Sequence, residues 1–147
     1  MNIFVINGPN LNFLGIRETK VYGDASYQDL ENYLKEVAGK INIRLDIFQT
    51  NHEGAIIDKI QEIYYRKYDG IIINPGAYTH YSYAIRDAIK AINIPVVEVH
   101  LTDLNKREDF RKTSVICDVC RASFMGKGFS SYLDALKFLS EVADVNK

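Results

Sequence analysis

Two stretches of this chain are apolar at every position, Ile3-Phe4-Val5-Ile6 and Ile71-Ile72-Ile73. A strand with one wet face alternates apolar and polar residues. A run without that alternation must be covered on both faces, which is the condition of a strand in a parallel sheet packed between helices. The segments between such runs carry the helical period instead. Leu30, Tyr33, Leu34 and Val37 form one inward stripe, and Ile56, Ile60, Ile63 and Tyr64 a second. Tyr83, Ala84, Ala88 and Ile92 form a third, with Arg86 and Asp87 outward, and Tyr132, Leu133, Leu136, Leu139 and Val142 a fourth. Further strands are predicted over Ile41–Gln49, over Pro95–Val99 and within Val115–Phe124. Strands alternating with helices imply βαβ units. Right-handed crossovers then favour the order 2-1-3-4-5. The expected class is α/β, a three-layer sandwich around a five-stranded parallel sheet.

Local signals mark the boundaries. Ser26 with Asp29 three residues on reads as a helix start, and Gly39 suits the end of that helix. Gln49-Thr50-Asn51-His52 opens the next helix, Asn93 and Pro95 break the third, and Lys106–Lys112 reads as a short exposed helix. With no repeat and no linker, residues 1–147 are expected to form one catalytic domain.

The first strand stops at Asn7-Gly8-Pro9-Asn10, because proline cannot donate a ladder hydrogen bond. A long loop follows, carrying Arg17, Glu18 and Tyr22 between Gly15 and Gly23. Loops longer than about a dozen residues are usually functional or disordered. This one leaves the carboxyl end of a strand, where open α/β sheets bind ligands. An active-site lid is the functional reading, an ordinary surface loop the plain one.

Composition narrows the class. With 18 basic and 19 acidic residues and a formal net charge of -1, the chain carries no nucleic-acid footprint. Its apolar runs are too short for a membrane span, and it enters a strand at once instead of presenting a signal peptide. A cytoplasmic protein is expected. The two cysteines, Cys117 and Cys120, lack the further ligands of a zinc site and read as reduced structural thiols.

The strand order brings the carboxyl ends of strands 1, 3 and 4 together. Those ends carry Asn10, the stretch Asn74 to His80, and His100 to Thr102. There is no Gly-x-Gly-x-x-Gly, no Walker loop and no Gly-x-Ser-x-Gly nucleophile. What remains is acid–base work on a polar, anionic small molecule. Glu98 and His100 are two apart in a strand and point the same way, so Glu98 can orient or charge the imidazole. Against that stands a structural histidine. His80 could be a cap-region residue, and Arg111 a solvated charge. Consecutive amides at Leu101 and Thr102 suit a carboxylate. A guanidinium from Arg17 near Tyr22 would favour its phenolate. Two rival readings stay open on the residues alone: a binding or receiver module, and a hydrolase using Cys117 or Cys120.

A set of motifs reaches a known family. Gly8-Pro9-Asn10-Leu11-Asn12, Leu14-Gly15-Ile16-Arg17-Glu18, Tyr22-Gly23 and Asn51-His52-Glu53-Gly54 come first. Asn74-Pro75-Gly76-Ala77-Tyr78-Thr79-His80, Glu98-Val99-His100-Leu101-Thr102 and Arg107-Glu108-Asp109-Phe110-Arg111 follow in order. Together they resemble type II 3-dehydroquinate dehydratase. The chain departs from that pattern at Phe129-Ser130-Ser131-Tyr132 and at Asp103, where Asn is common.

The resemblance implies a flavodoxin-like fold and dehydration of 3-dehydroquinate to 3-dehydroshikimate in the shikimate pathway. No cofactor, metal or Schiff base is implied. Tyr22 would be the base at C2, and Arg17 would keep its phenolate accessible. Asn10 would hold a water or the enolate oxygen. His100, beside Glu98, would protonate the departing C1 hydroxyl. Asn74, Gly76, His80, Leu101, Thr102 and Arg111 would bind substrate. Asp87 would reach a neighbouring subunit's site in a homododecamer built from trimers.

Overall fold

Side chains alternate across a strand, and here that alternation divides the core in two. In β1 (Asn2–Asn7), Ile3 and Val5 face one side of the sheet and Phe4 and Ile6 the other, all four buried. In β3 (Gly70–Asn74), Ile72 joins the first side and Ile71 and Ile73 the second. In β4 (Val96–His100), Val97 and Val99 oppose Val96. The computed structural model describes residues 1–145. It pairs β2 (Arg44–Gln49), β1, β3, β4 and β5 (Ala122–Met125) in that order, every pairing parallel. The predicted order 2-1-3-4-5 is the observed one.

The long loop after β1 contains a 3-10 turn, Leu11–Phe13, and one α-helical turn, α1 (Thr19–Tyr22). Beyond it, α2 (Tyr27–Lys40) and α5 (Ser130–Val145) cover the Ile3/Val5 face with Leu30, Leu34, Leu136 and Leu139. α3 (Glu53–Tyr65) and α4 (Tyr83–Lys90) cover the opposite face with Ile56, Ile60, Ile63, Ile85 and Ile89. The result is the predicted three layers.

The start of α2 follows the sequence signal. Ser26 Oγ accepts from the Asp29 amide at 3.1 Å, and the Ser26 amide donates to the Asp29 carboxylate at 2.8 Å. Its end corrects the expectation for Gly39, which stays inside the helix. The chain leaves at Asn42, in the left-handed region at φ 55°. Ile43 N–H then closes on the Ala38 carbonyl at 2.9 Å and Asn42 N–H on that of Gly39 at 3.3 Å. β2 consequently begins at Arg44, three residues later than predicted.

Other boundaries shift for similar local reasons. Ser82 caps α4 by accepting from the Ile85 amide, which points Ile85, Ala88 and Ile89 inward and leaves Tyr83 and Ala84 exposed. Tyr64 rotates off the Ile56–Ile60–Ile63 stripe and is exposed. The segment predicted as one helix over Lys106–Lys112 is two 3-10 turns, Leu104–Lys106 and Asp109–Arg111, the first capped by the Asp103 carboxylate. The fifth strand is short and late, because a 3-10 turn at Cys117–Val119 occupies the start of the predicted segment.

Candidate active site

β1 and β3 end level with each other, Asn7 opposite Asn74. The loops leaving them touch: a Cβ on Gly8 would lie 2.7 Å from the Pro75 backbone, and the Gly8 amide donates to the Asn74 carbonyl at 2.7 Å. Only glycine permits that approach. Above this seam a cleft of about 110 Å³ opens, lined by Asn10, Arg17, Tyr22, Asn74, Gly76, His80, His100, Leu101, Thr102, Arg107 and Arg111 among others. Every residue predicted to act within one subunit's site lines it, except Glu98. That residue lies beneath the floor, fully buried.

Strand alternation puts Glu98 on the same side of β4 as His100. Glu98 Oε1 lies 2.6 Å from His100 Nε2, and the same oxygen accepts from Thr79 Oγ1 at 2.6 Å and Ser114 Oγ at 2.8 Å. Burial pushes the Glu98 carboxyl towards its neutral form. The hydrogen bond and charge of His100, with the two hydroxyls, outweigh that and hold it below the ordinary carboxylate value. An ionised acceptor at this distance keeps one ring proton of His100 on Nε2, so a proton given up by the imidazolium leaves from Nδ1.

Tyr22 closes α1 and lies beside two guanidinium groups. Arg17 Cζ sits 4.6 Å from the ring centroid and Arg107 Cζ 5.3 Å. Arg107 Nη1 donates to the phenol oxygen at 3.0 Å and also reaches Thr102 Oγ1 at 3.3 Å. The sequence reading gave Arg107 no role, although it opens the Arg107–Arg111 motif, because it sits in a charged run with Lys106 and Arg111. In the structure its side chain is only 11% exposed.

His80 donates from Nδ1 to the Thr113 carbonyl at 2.8 Å, which leaves Nε2 as an acceptor. Burial lowers its basicity. The charges of His100 and Arg111 lower it further, against the opposing pull of the Thr113 carbonyl and Glu98. Arg111 lies over the Phe110 ring at 4.7 Å, with Nε 3.0 Å from Glu108 Oε2.

The Asn74 side chain is engaged twice. It accepts from the Gly76 amide at 3.2 Å and donates to the Tyr132 hydroxyl at 3.1 Å, and Tyr132 donates on to Asn7 Oδ1 at 2.7 Å. Burial holds the Tyr132 phenol neutral, so it keeps the proton this chain needs. Tyr132, read from the sequence as plain core, therefore supports the floor of the cleft. Asn10 takes a left-handed conformation at φ 67°, with its amide donating to Asn51 Oδ1 at 3.0 Å. Asp87 is exposed on α4, outside the cleft of its own chain. Cys117 and Cys120 are free thiols and neither lines the cleft. Among the described residues, no group of three or more His, Cys, Asp and Glu side chains converges as a metal site.

The arrangement joins a phenol flanked by cations to a carboxylate-held imidazole, in a cleft with three guanidinium groups. It suits proton abstraction and donation on an anionic substrate. Residues 1–140 match the family described as Dehydroquinase class II. The chain is 54% identical over 142 residues to a 3-dehydroquinate dehydratase of Caldicellulosiruptor bescii, covering 97% of this chain and 98% of that one. It is 55% identical over 139 residues to one of Clostridium beijerinckii, covering 95% of each. The crystal structure of a type II dehydroquinase from Butyrivibrio crossotus superposes with a TM-score of 0.94 at 53% identity, covering 95% of this chain and 97% of that one.

Proposed function

The chain belongs to the class II dehydroquinase family, and on that premise we propose that it converts 3-dehydroquinate to 3-dehydroshikimate through an enolate. Tyr22 as phenolate removes the C2 proton beside the ketone. The enolate oxygen is held near Asn10, in an oxyanion-type role. His100 then protonates the C1 hydroxyl as it departs as water. The single observation that carries this assignment is the phenol of Tyr22, gripped by Arg107 and overlain by Arg17, in one cleft with the Glu98-held His100.

The substrate carboxylate fits the consecutive Leu101 and Thr102 amides with Arg111 nearby, and the ring hydroxyls fit Asn74, the Gly76 turn and the free Nε2 of His80. The loop from Gly15 to Gly23 closes as a lid over bound substrate and excludes water. Both glycines lie in the left-handed region, at φ 82° and 80°. Exposed Asp87 completes the site of a neighbouring subunit in a homododecamer of trimers. The setting is the shikimate pathway in the cytoplasm, in keeping with the free thiols. None of the described helices is long and apolar enough to cross a membrane.

The decisive assay mixes the chain with 3-dehydroquinate and follows the ultraviolet absorbance of the conjugated enone. Product formation is expected. Its absence from a folded sample would refute the assignment.

A further inference from the structure

Glu98 cannot hold His100 in place unless something holds Glu98. It is buried, and its Oε2 has no hydrogen-bond partner, so the carboxylate is anchored through Oε1 alone. Apart from His100, the partners there are Thr79 Oγ1, from the turn after β3, and Ser114 Oγ, from the segment before the Cys117–Val119 turn. The two hydroxyls are 3.2 Å apart. Each is placed by backbone rather than by chance. The Ser114 hydroxyl accepts from the Ile116 amide at 3.3 Å and the Cys117 amide at 3.2 Å, so its own proton is directed to the carboxylate. The Val115 amide closes on the Thr79 carbonyl at 2.8 Å and ties the two segments together. The next residue on each side serves the other imidazole, since the Thr113 carbonyl accepts from His80.

We propose that Thr79 and Ser114 are positioning residues for the reaction, a pair of hydroxyls that fix the Glu98 carboxylate and through it the orientation and proton of His100. The proposal rests on the reading of His100 as the general acid. A carboxylate bonded by three donors at one oxygen cannot swing away. It is also kept ionised in a buried place where, unsupported, it would take up a proton. Neither hydroxyl lines the cleft, so neither touches substrate. Glu98 also acts electrostatically on His80 and Cys120, and Arg111 acts on His80. Of these, His80 and Cys120 are neutral near pH 7, because burial lowers the basicity of the imidazole and pushes the Cys120 thiol up.

Thr79→Val and Ser114→Ala each remove one donor with little change of shape, and Thr79→Ser restores one. Losing a hydrogen bond to a charged group should lower kcat about tenfold, while KM moves little. Because Glu98 then protonates more readily, the acid limb of the kcat profile should shift to higher pH. Thr79→Ser should return both quantities towards wild type. Superimposable pH profiles, or a Thr79→Ser variant as impaired as Thr79→Val, would overturn the proposal.

Nitrogen-15 spectra of the histidines in the ligand-free chain give a readout without turnover. Wild-type His100 should carry its proton on Nε2, and both hydroxyl-deleted variants should shift that balance. Unmoved His100 resonances overturn the positioning role. A wild-type rate for His100→Gln would instead overturn the general-acid reading, and the spectra would still decide what holds Glu98.

Discussion

Arg107 donates a hydrogen bond to the hydroxyl of Tyr22 at 3.0 Å, across a sequence separation of 85 residues. The contact joins the loop after β1 to the turns after β4 and gives the phenol a second cation besides Arg17. Arg107→Ala is expected to lower kcat by about a hundredfold, the scale seen when one preorganised charge-stabilising donor is removed. Arg107→Lys should recover part of that loss, since it keeps the charge but not the planar fork. Steady-state assays of the enone product decide this, and a rate within twofold of wild type for Arg107→Ala would remove Arg107 from the mechanism.

Tyr22→Phe deletes the titrating oxygen and almost no volume. It should cut kcat by orders of magnitude with a modest change in KM, the pattern of a group acting mainly in the transition state. Borohydride added during turnover should trap nothing on a lysine. Near-normal turnover by Tyr22→Phe, or a reduced substrate adduct, would exclude the phenolate route.

Glu98 makes stability depend on pH in a definite direction. Its carboxyl is held below the ordinary value in the folded chain. The contribution is therefore present above the unfolded carboxyl range and is lost as pH falls through the folded value. Denaturant titrations of wild type and Glu98→Gln from neutral pH downwards should show wild type losing stability more steeply below that range. Parallel curves would mean that Glu98 carries no such linkage.

Gly15 has no room for a side chain. A Cβ there would sit 2.9 Å from the Asp24 carbonyl, at φ 82°. Gly15→Ala should disturb the lid and lower kcat/KM, with global stability changed far less. In wild type, proteolysis between Arg17 and Gly23 should slow when a substrate analogue is bound. Equal cleavage with and without the analogue would argue against closure.

Asp87 tests the assembly. Asp87→Ala should weaken substrate binding while leaving the fold intact, because the side chain is exposed in its own subunit. Light scattering should report a dodecamer. A fully active monomer would remove the shared site.

The sequence alone determined the sheet, its order and the edge at which the cleft opens. Runs such as Ile71-Ile72-Ile73 can be satisfied only by burial on both faces, and the helical stripes between them leave one economical way to connect parallel strands. The Glu98–His100 pair was legible for the same reason, since residues two apart in a strand must face the same way. Element ends were less legible. Asn42 rather than Gly39 turns α2, a choice made by which residue reaches the left-handed region as the chain enters β2. Tertiary structure alone decided the contacts that cross long stretches of chain. Arg107 meets Tyr22, Tyr132 meets Asn7 and Asn74, and Thr79 meets Ser114 over Glu98. No local period or motif encodes such meetings, because they depend on where the packed sheet and helices bring loops together. A charged run, a core tyrosine and two hydroxyls acquire their partners only from that placement.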